Sequence, residues 1–171
     1  MALATSLRAA ISAVQTGTND YGGVFTPSLN YVVDLVDGVA AGAADQLFCD
    51  ERTVASASND DLDLAGVLQS AFGQTLTMVK IVAIMIINAP RSGAANTTNL
   101  TVGAGTNPFL GFLGGTTPTV GPLRPGATFY LACDNLAGLG SVTAGTADIL
   151  RIANSSGAAA TYQIAIVARS A

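Results

Sequence analysis

The densest group of side chains able to do chemistry lies between positions 49 and 63, where Cys49, Asp50 and Glu51 precede Asp60, Asp61 and Asp63. Carboxylates at alternate positions can chelate a hard cation, and an EF-hand frame opening at Asn59 puts Asp61 and Asp63 in ligand positions. The frame then fails, because Leu64 stands where the sharp turn needs Gly and Ser70 where the loop needs a bidentate Glu. A solvated strand edge that discourages sheet-to-sheet aggregation accounts for the same residues. Two carboxylates could also flank a sugar bond, but such grooves use aromatic platforms and the chain has no Trp.

Other chemistries fall to composition. The chain has no His, which removes imidazole bases, Ser-His-Asp and Cys-His nucleophiles and imidazole metal ligands. Without a base to activate them, the many Ser and Thr residues read as surface. The Gly103-x-Gly105 turn lacks a third Gly, since Pro108 occupies its place, and Lys80, the single Lys, falls inside an apolar stretch. Neither a phosphate cradle nor any cofactor is therefore expected. Cys49 and Cys133 are read as two buried free thiols in apolar strands, with no paired spacing and no export signal to favour a disulfide. Seven basic against eleven acidic residues leave a net charge of −4 and no basic surface for nucleic acid. The most apolar run, residues 81–87, is far shorter than the roughly 20 residues a spanning helix needs, so no membrane partner is expected.

The elements that would position these groups divide the chain near residue 45. Residues 1–44 read as an N-terminal arm: Leu3, Leu7, Ile11 and Val14 recur at spacings of four, four and three, predicting a short helix from Thr5 or Ser6 with one apolar face. The polar stretch Thr16-Gly17-Thr18-Asn19-Asp20 ends it, and a short piece from Tyr31 runs to Gly38. A helix this short is marginal alone in water, so its face needs a partner. Residues 45–171 read as a β-sandwich or jelly roll, with strands expected over 46–54, 61–64, 74–88, 99–102, 109–113, 127–133, 148–153 and 161–169. In the last, Tyr162, Ile164 and Ile166 face one way and Thr161, Gln163 and Ala165 the other.

The stretch 74–88 is apolar on both faces. As one strand it sets Leu76, Met78, Val82, Ile84 and Ile86 against Val79, Ile81, Met85 and Ile87. A sandwich strand usually wets one face, so the second face is expected to meet the arm or another subunit. Only 11% of the residues are charged, against about 25% in an ordinary domain, and the surface is built instead from Thr, Ser, Asn, Ala and Gly. Such side chains cost little to bury against another protein. The candidate interface is thus Leu3, Leu7, Ile11 and Val14 on the arm with Val79, Ile81, Met85 and Ile87 on the long strand.

Several segments carry a likeness: Asp50-Glu51-Arg52-Thr53-Val54-Ala55-Ser56-Ala57-Ser58, Leu62-Asp63-Leu64-Ala65-Gly66, Ala71-Phe72-Gly73, Asn99-Leu100-Thr101-Val102-Gly103-Ala104-Gly105, Leu123-Arg124-Pro125-Gly126 and Val142-Thr143-Ala144-Gly145-Thr146-Ala147-Asp148-Ile149-Leu150. They resemble small virion structural proteins of tailed bacteriophages and prophages, most of all capsid decoration or cement proteins. The resemblance runs in pieces over residues 45–169 and leaves out the arm. It implies a non-enzymatic homotrimer made in the bacterial cytoplasm, which sits on the outer capsid surface, binds the major capsid protein and bridges capsomers. The alternative is a phage tail or receptor-binding β-sandwich module, for which Phe109, Phe112 and Tyr130 are the available aromatics. A carbohydrate-active enzyme or binding domain is the rival of a different class.

Overall fold

The computed structural model describes residues 2–17, 22–155 and 157–171, and every regular element among them is a β-strand. Thr18, Asn19 and Asp20, read above as a breaker, lie outside the described residues. The eight strands of the body are β6 (Gln46–Val54), β7 (Ser58–Asp63), β8 (Lys80–Ile87), β9 (Leu100–Gly103), β10 (Thr119–Leu123), β11 (Thr128–Ala132), β13 (Ile149–Asn154) and β14 (Ala160–Arg169). Between β11 and β13, the two-residue β12 (Gly140–Ser141) pairs with the start of β8. One sheet runs β11-β8-β14-β6 and the other β10-β9-β13-β7, all pairs antiparallel.

The two sheets share one apolar core. Phe48 and Val54 of β6, Ile84 and Ile86 of β8 and Tyr162, Ile164 and Ile166 of β14 meet Leu62, Leu100, Val102, Leu150 and Ile152 of the opposite sheet. The alternation expected in the last strand is present, with Tyr162, Ile164 and Ile166 inward. Fully burying each such Leu or Ile contributes about 1.5–3 kcal/mol. Edges are treated differently from centres. β7 closes one edge of its sheet and carries Asp60, Asp61 and Asp63, while β10 closes the other with a register shift between Val120 and Leu123 that takes in Pro122.

β8 is shorter than the strand expected over residues 74–88, and a bulge changes its phase. Val167 pairs with Ala83 and Ala168 with Ile81, so Val82 is the extra residue. Ile84 and Ile86 point into the core and, beyond the bulge, so does Ile81, which is fully buried. Ile81 is therefore not a contact residue, contrary to simple alternation. Val82 turns to the outer side instead, beside Ala83. Val79 precedes the strand, half-buried, and donates its N–H to the carbonyl of Arg169 at 2.8 Å.

The predicted N-terminal helix is a β-hairpin. β1 (Thr5–Ser12) pairs with β4 (Ser28–Asp37), and β2 (Gln15–Gly17) with β3 (Gly23–Phe25). Ser12 faces Ser28 and Gln15 faces Phe25, with two residues between on each side, and Ala13 donates to the carbonyl of Pro27 at 3.1 Å. Both ladders thus share one register and form one long arm. Spacings of four are even, so Leu3, Leu7 and Ile11 share a face in a strand as they would in a helix. Only the step of three to Val14 distinguishes the two, and Val14 falls on the other face.

A candidate assembly surface

The pairing of the hairpin sorts its side chains into two unlike faces. Leu7 opposes Val33, Thr5 opposes Leu35, Ala9 opposes Tyr31, Ile11 opposes Leu29 and Gln15 opposes Phe25, which makes one face almost wholly apolar. The other face is mixed: it carries Ser6 with Asp34, Arg8 with Val32, Ala10 with Asn30, Ser12 with Ser28 and Thr16 with Val24, and Val36 stands exposed at its base. This asymmetry is what a ribbon needs to lie on something greasy.

The base of the apolar face already does so within the chain. Leu7 and Leu35 are buried with Ala44, Val82, Ala83 and Val167, and Leu3, Val33 and Ala132 pack around them. Asp37 holds the chain start by accepting the Leu3 N–H at 2.9 Å. β5 (Ala43–Ala44), paired in parallel with β4, follows, and Arg169 anchors it from Nε to the carbonyl of Ala43 at 2.8 Å. Farther out the face is bare: Ile11 is 71% exposed, Leu29 72%, Tyr31 65% and Phe25 64%. Val14 is as exposed as Ile11, on the opposite side. Of the four arm residues singled out in the sequence, the structure seats Leu3 and Leu7 against the body and leaves Ile11 and Val14 open.

The sheet beneath the arm has an outer face built in rows. Ala132, Ala83, Val167 and Leu47 align across its four strands, and the arm base sits on the first three. The next row is Tyr130, Met85, Ala165 and Cys49, and the one after is Thr128, Ile87, Gln163 and Glu51. Neither is covered. Met85, Ile87, Ala165 and Cys49 line a shallow concavity of about 360 Å³, rimmed by Glu51 and Arg91. The Arg91 N–H donates to Glu51 Oε2 at 2.5 Å. Cys49, expected to be buried, is exposed here, because β6 turns odd-numbered residues outward; Cys133 is half-buried, and both thiols are free.

The acidic residues are engaged by arginines. Arg52 grips Asp60 with two bonds, Nε to Oδ2 at 2.6 Å and Nη2 to Oδ1 at 2.8 Å, and the Tyr162 hydroxyl donates to the same Oδ2 at 2.8 Å. Burial raises the Asp60 pKa, but the bonds from Arg52 and Tyr162 outweigh it and leave the carboxyl below its ordinary value. Burial, then the Asp60 charge and hydrogen bond, push the Tyr162 hydroxyl up. Arg151 makes a second two-bond pair with Asp61, at 2.6 and 2.7 Å, and Asp63 accepts the Ala65 N–H at 2.8 Å. Among the described residues no group of three His, Cys, Asp or Glu could hold a metal ion. Phe109, one of the aromatics available to a receptor-binding module, is buried and packs edge-on against Phe112 with ring centroids 5.9 Å apart.

Sequence reasoning missed Phe25, Leu29 and Tyr31, which carry most of the bare apolar area. The signal was present: Leu29, Tyr31, Val33 and Leu35 alternate through β4 with the period of a strand. No family model, curated protein or solved structure matches the chain.

Proposed function

We propose that this protein is a structural component of a virion, a decoration or cement protein that binds the outer shell of a tailed bacteriophage and stabilises contacts between capsomers. The observation that carries the reading is the bare outer half of the arm, whose apolar face is continuous with a face already used for packing. Exposed apolar ribbons of this size mark sites of protein association. The strand order adds support. Numbered from β6 with β12 left out, the body strands run one-eight-three-six in one sheet and two-seven-four-five in the other, the order of a jelly roll, an architecture recurrent in viral capsid and lectin domains. That is an argument from analogy of fold, and the segment resemblance to virion proteins points the same way.

In this role the protein acts by buried area. A packaged genome pushes outward, and a module that buries apolar surface across neighbouring shell subunits raises the free energy needed to part them. The reading includes a homotrimer and the major capsid protein as partners. The test is to add the purified chain to shells that lack it and image them. Regular coverage by hundreds of copies, with raised resistance of the shell to heat, is expected. Shells that neither bind the chain nor gain stability overturn the proposal, and a few copies at one vertex point instead to a tail or receptor-binding module.

A further inference from the structure

We infer that the occupant of the open part of this outer sheet face is the outer arm of a second copy of this chain. This deepens the assembly reading above and rests on its premise that the bare faces are contact surfaces. Three features of one chain combine. The arm passes β11: Ala9 and Tyr31 lie beside Tyr130 and Leu131, with a cleft of about 240 Å³ between them. β11 is one edge of its sheet, and the concavity formed by Cys49, Met85, Ile87 and Ala165 reaches to β6, the opposite edge. A donor at one edge and an acceptor toward the other make a head-to-tail contact between copies, the type that closes into a ring.

The chemistry of the contact is already displayed within the chain. The arm base sets Leu7, Leu35 and Val33 on the small-residue row Ala132, Ala83 and Val167. The outer arm repeats that face with Ile11, Leu29, Tyr31 and Phe25, and the next sheet row offers Met85, Ala165 and Cys49 as the acceptor. At their exposures the four arm side chains offer about 500 Å², taking roughly 200 Å² for a large side chain. Counted on the arm alone, that is about half of the roughly 1,000 Å² at which specific interfaces begin, and the sheet side adds to it. In a ring every copy both gives an arm and receives one, so it holds two such contacts.

Sedimentation of the full chain at micromolar concentration tests this, with Leu29→Asp disabling the arm and Met85→Asp disabling the sheet. All of these positions are exposed, and circular dichroism checks that each variant keeps its strands; Cys49→Glu is a second sheet variant. The intact chain is expected at two or more times 17.1 kDa and each variant as a monomer. An equimolar mixture of an arm variant and a sheet variant should give a one-to-one dimer, because one intact arm then meets one intact sheet. An intact chain that is monomeric, a Leu29→Asp chain that keeps the oligomer, or a mixture that stays monomeric overturns the inference. Shell binding is scored separately. A monomer that coats shells through its arm defeats the exchange and leaves shell attachment standing, and an arm-exchanged oligomer that coats nothing does the reverse.

Discussion

Arg169 donates from Nε to the carbonyl of Ala43 at 2.8 Å, tying the end of the last strand to the chain just after the hairpin. Its guanidinium is wholly buried and also donates to the carbonyls of Asp134, Asn135 and Leu136 at 2.7–3.2 Å. Backbone oxygens alone thus satisfy this buried cation, and one side chain joins the arm base, β14 and the loop after β11. Replacing Arg169 with Met strands these carbonyls and should cost about 3 kcal/mol, since bonds to charged groups are worth roughly 1.5–3 kcal/mol each. The urea midpoint measures that loss, and faster proteolysis within residues 38–44 should accompany it.

Acid should act through Asp60. Burial raises its pKa, but the bonds from Arg52 and Tyr162 outweigh that effect, so the folded value lies below the ordinary 3.8. The unfolded chain therefore takes up this proton first as pH falls. The stabilisation is complete above the ordinary value and is lost as pH drops through the folded one. Urea midpoints taken between about pH 6 and pH 3 should fall more steeply for the native chain than for Asp60→Asn, which starts from lower stability.

By contrast, Asp61→Asn should matter little. Its partner Arg151 is near the surface, and exposed pairs of this kind contribute under about 1 kcal/mol. A thermal melt within a few degrees of the native chain is the expected result.

Two glycines separate conformational from steric cost. Gly145 has φ +75° and open space where a Cβ would go, so Gly145→Ala should cost about 1–2 kcal/mol for the left-handed backbone alone. At Gly140, φ is +142° and a Cβ would overlap the Cα of Gly111. Gly140→Ala should be clearly worse, by a further 1–3 kcal/mol or so. Paired denaturation curves decide the order.

Thiol labelling should distinguish the two cysteines. Cys49 is exposed on the sheet and Cys133 half-buried, so one fast and one slow site are expected in the arm-disabled Leu29→Asp chain. In the intact oligomer the fast site should slow severalfold, because the arm of a neighbour covers it. Equal rates in both chains would count against coverage of that row.

Much of the body was legible because its strands carry unambiguous alternation. β6 and β14 lie where period and turn residues put them, within a residue at each end. β10 was not foreseen, since Gly121 and Pro122 resemble a turn yet occupy an irregular edge. Residues 109–113 looked like a strand, but Phe109 and Leu113 are buried from a loop with Gly111 between them. For Ile81 and Val82 the failure is one of phase: local sequence does not announce a bulge, and a single extra residue exchanges their faces, while Leu76 and Met78 still join Ile84 and Ile86 in the core. The arm failed for a different reason, since even spacings fit both periods and only the partner strand resolves them. Of the candidate contact residues, Ile11, Val14 and Met85 remain open to a neighbour, whereas Leu3, Leu7 and Ile81 are used by the chain itself.

The two guarded edges of the four-stranded sheet bear on crowding. Copies arrayed side by side at high density are under constant temptation to zip strand to strand into fibres. Carboxylates along β7 and the broken ladder of β10 oppose that growth at both edges of this sheet.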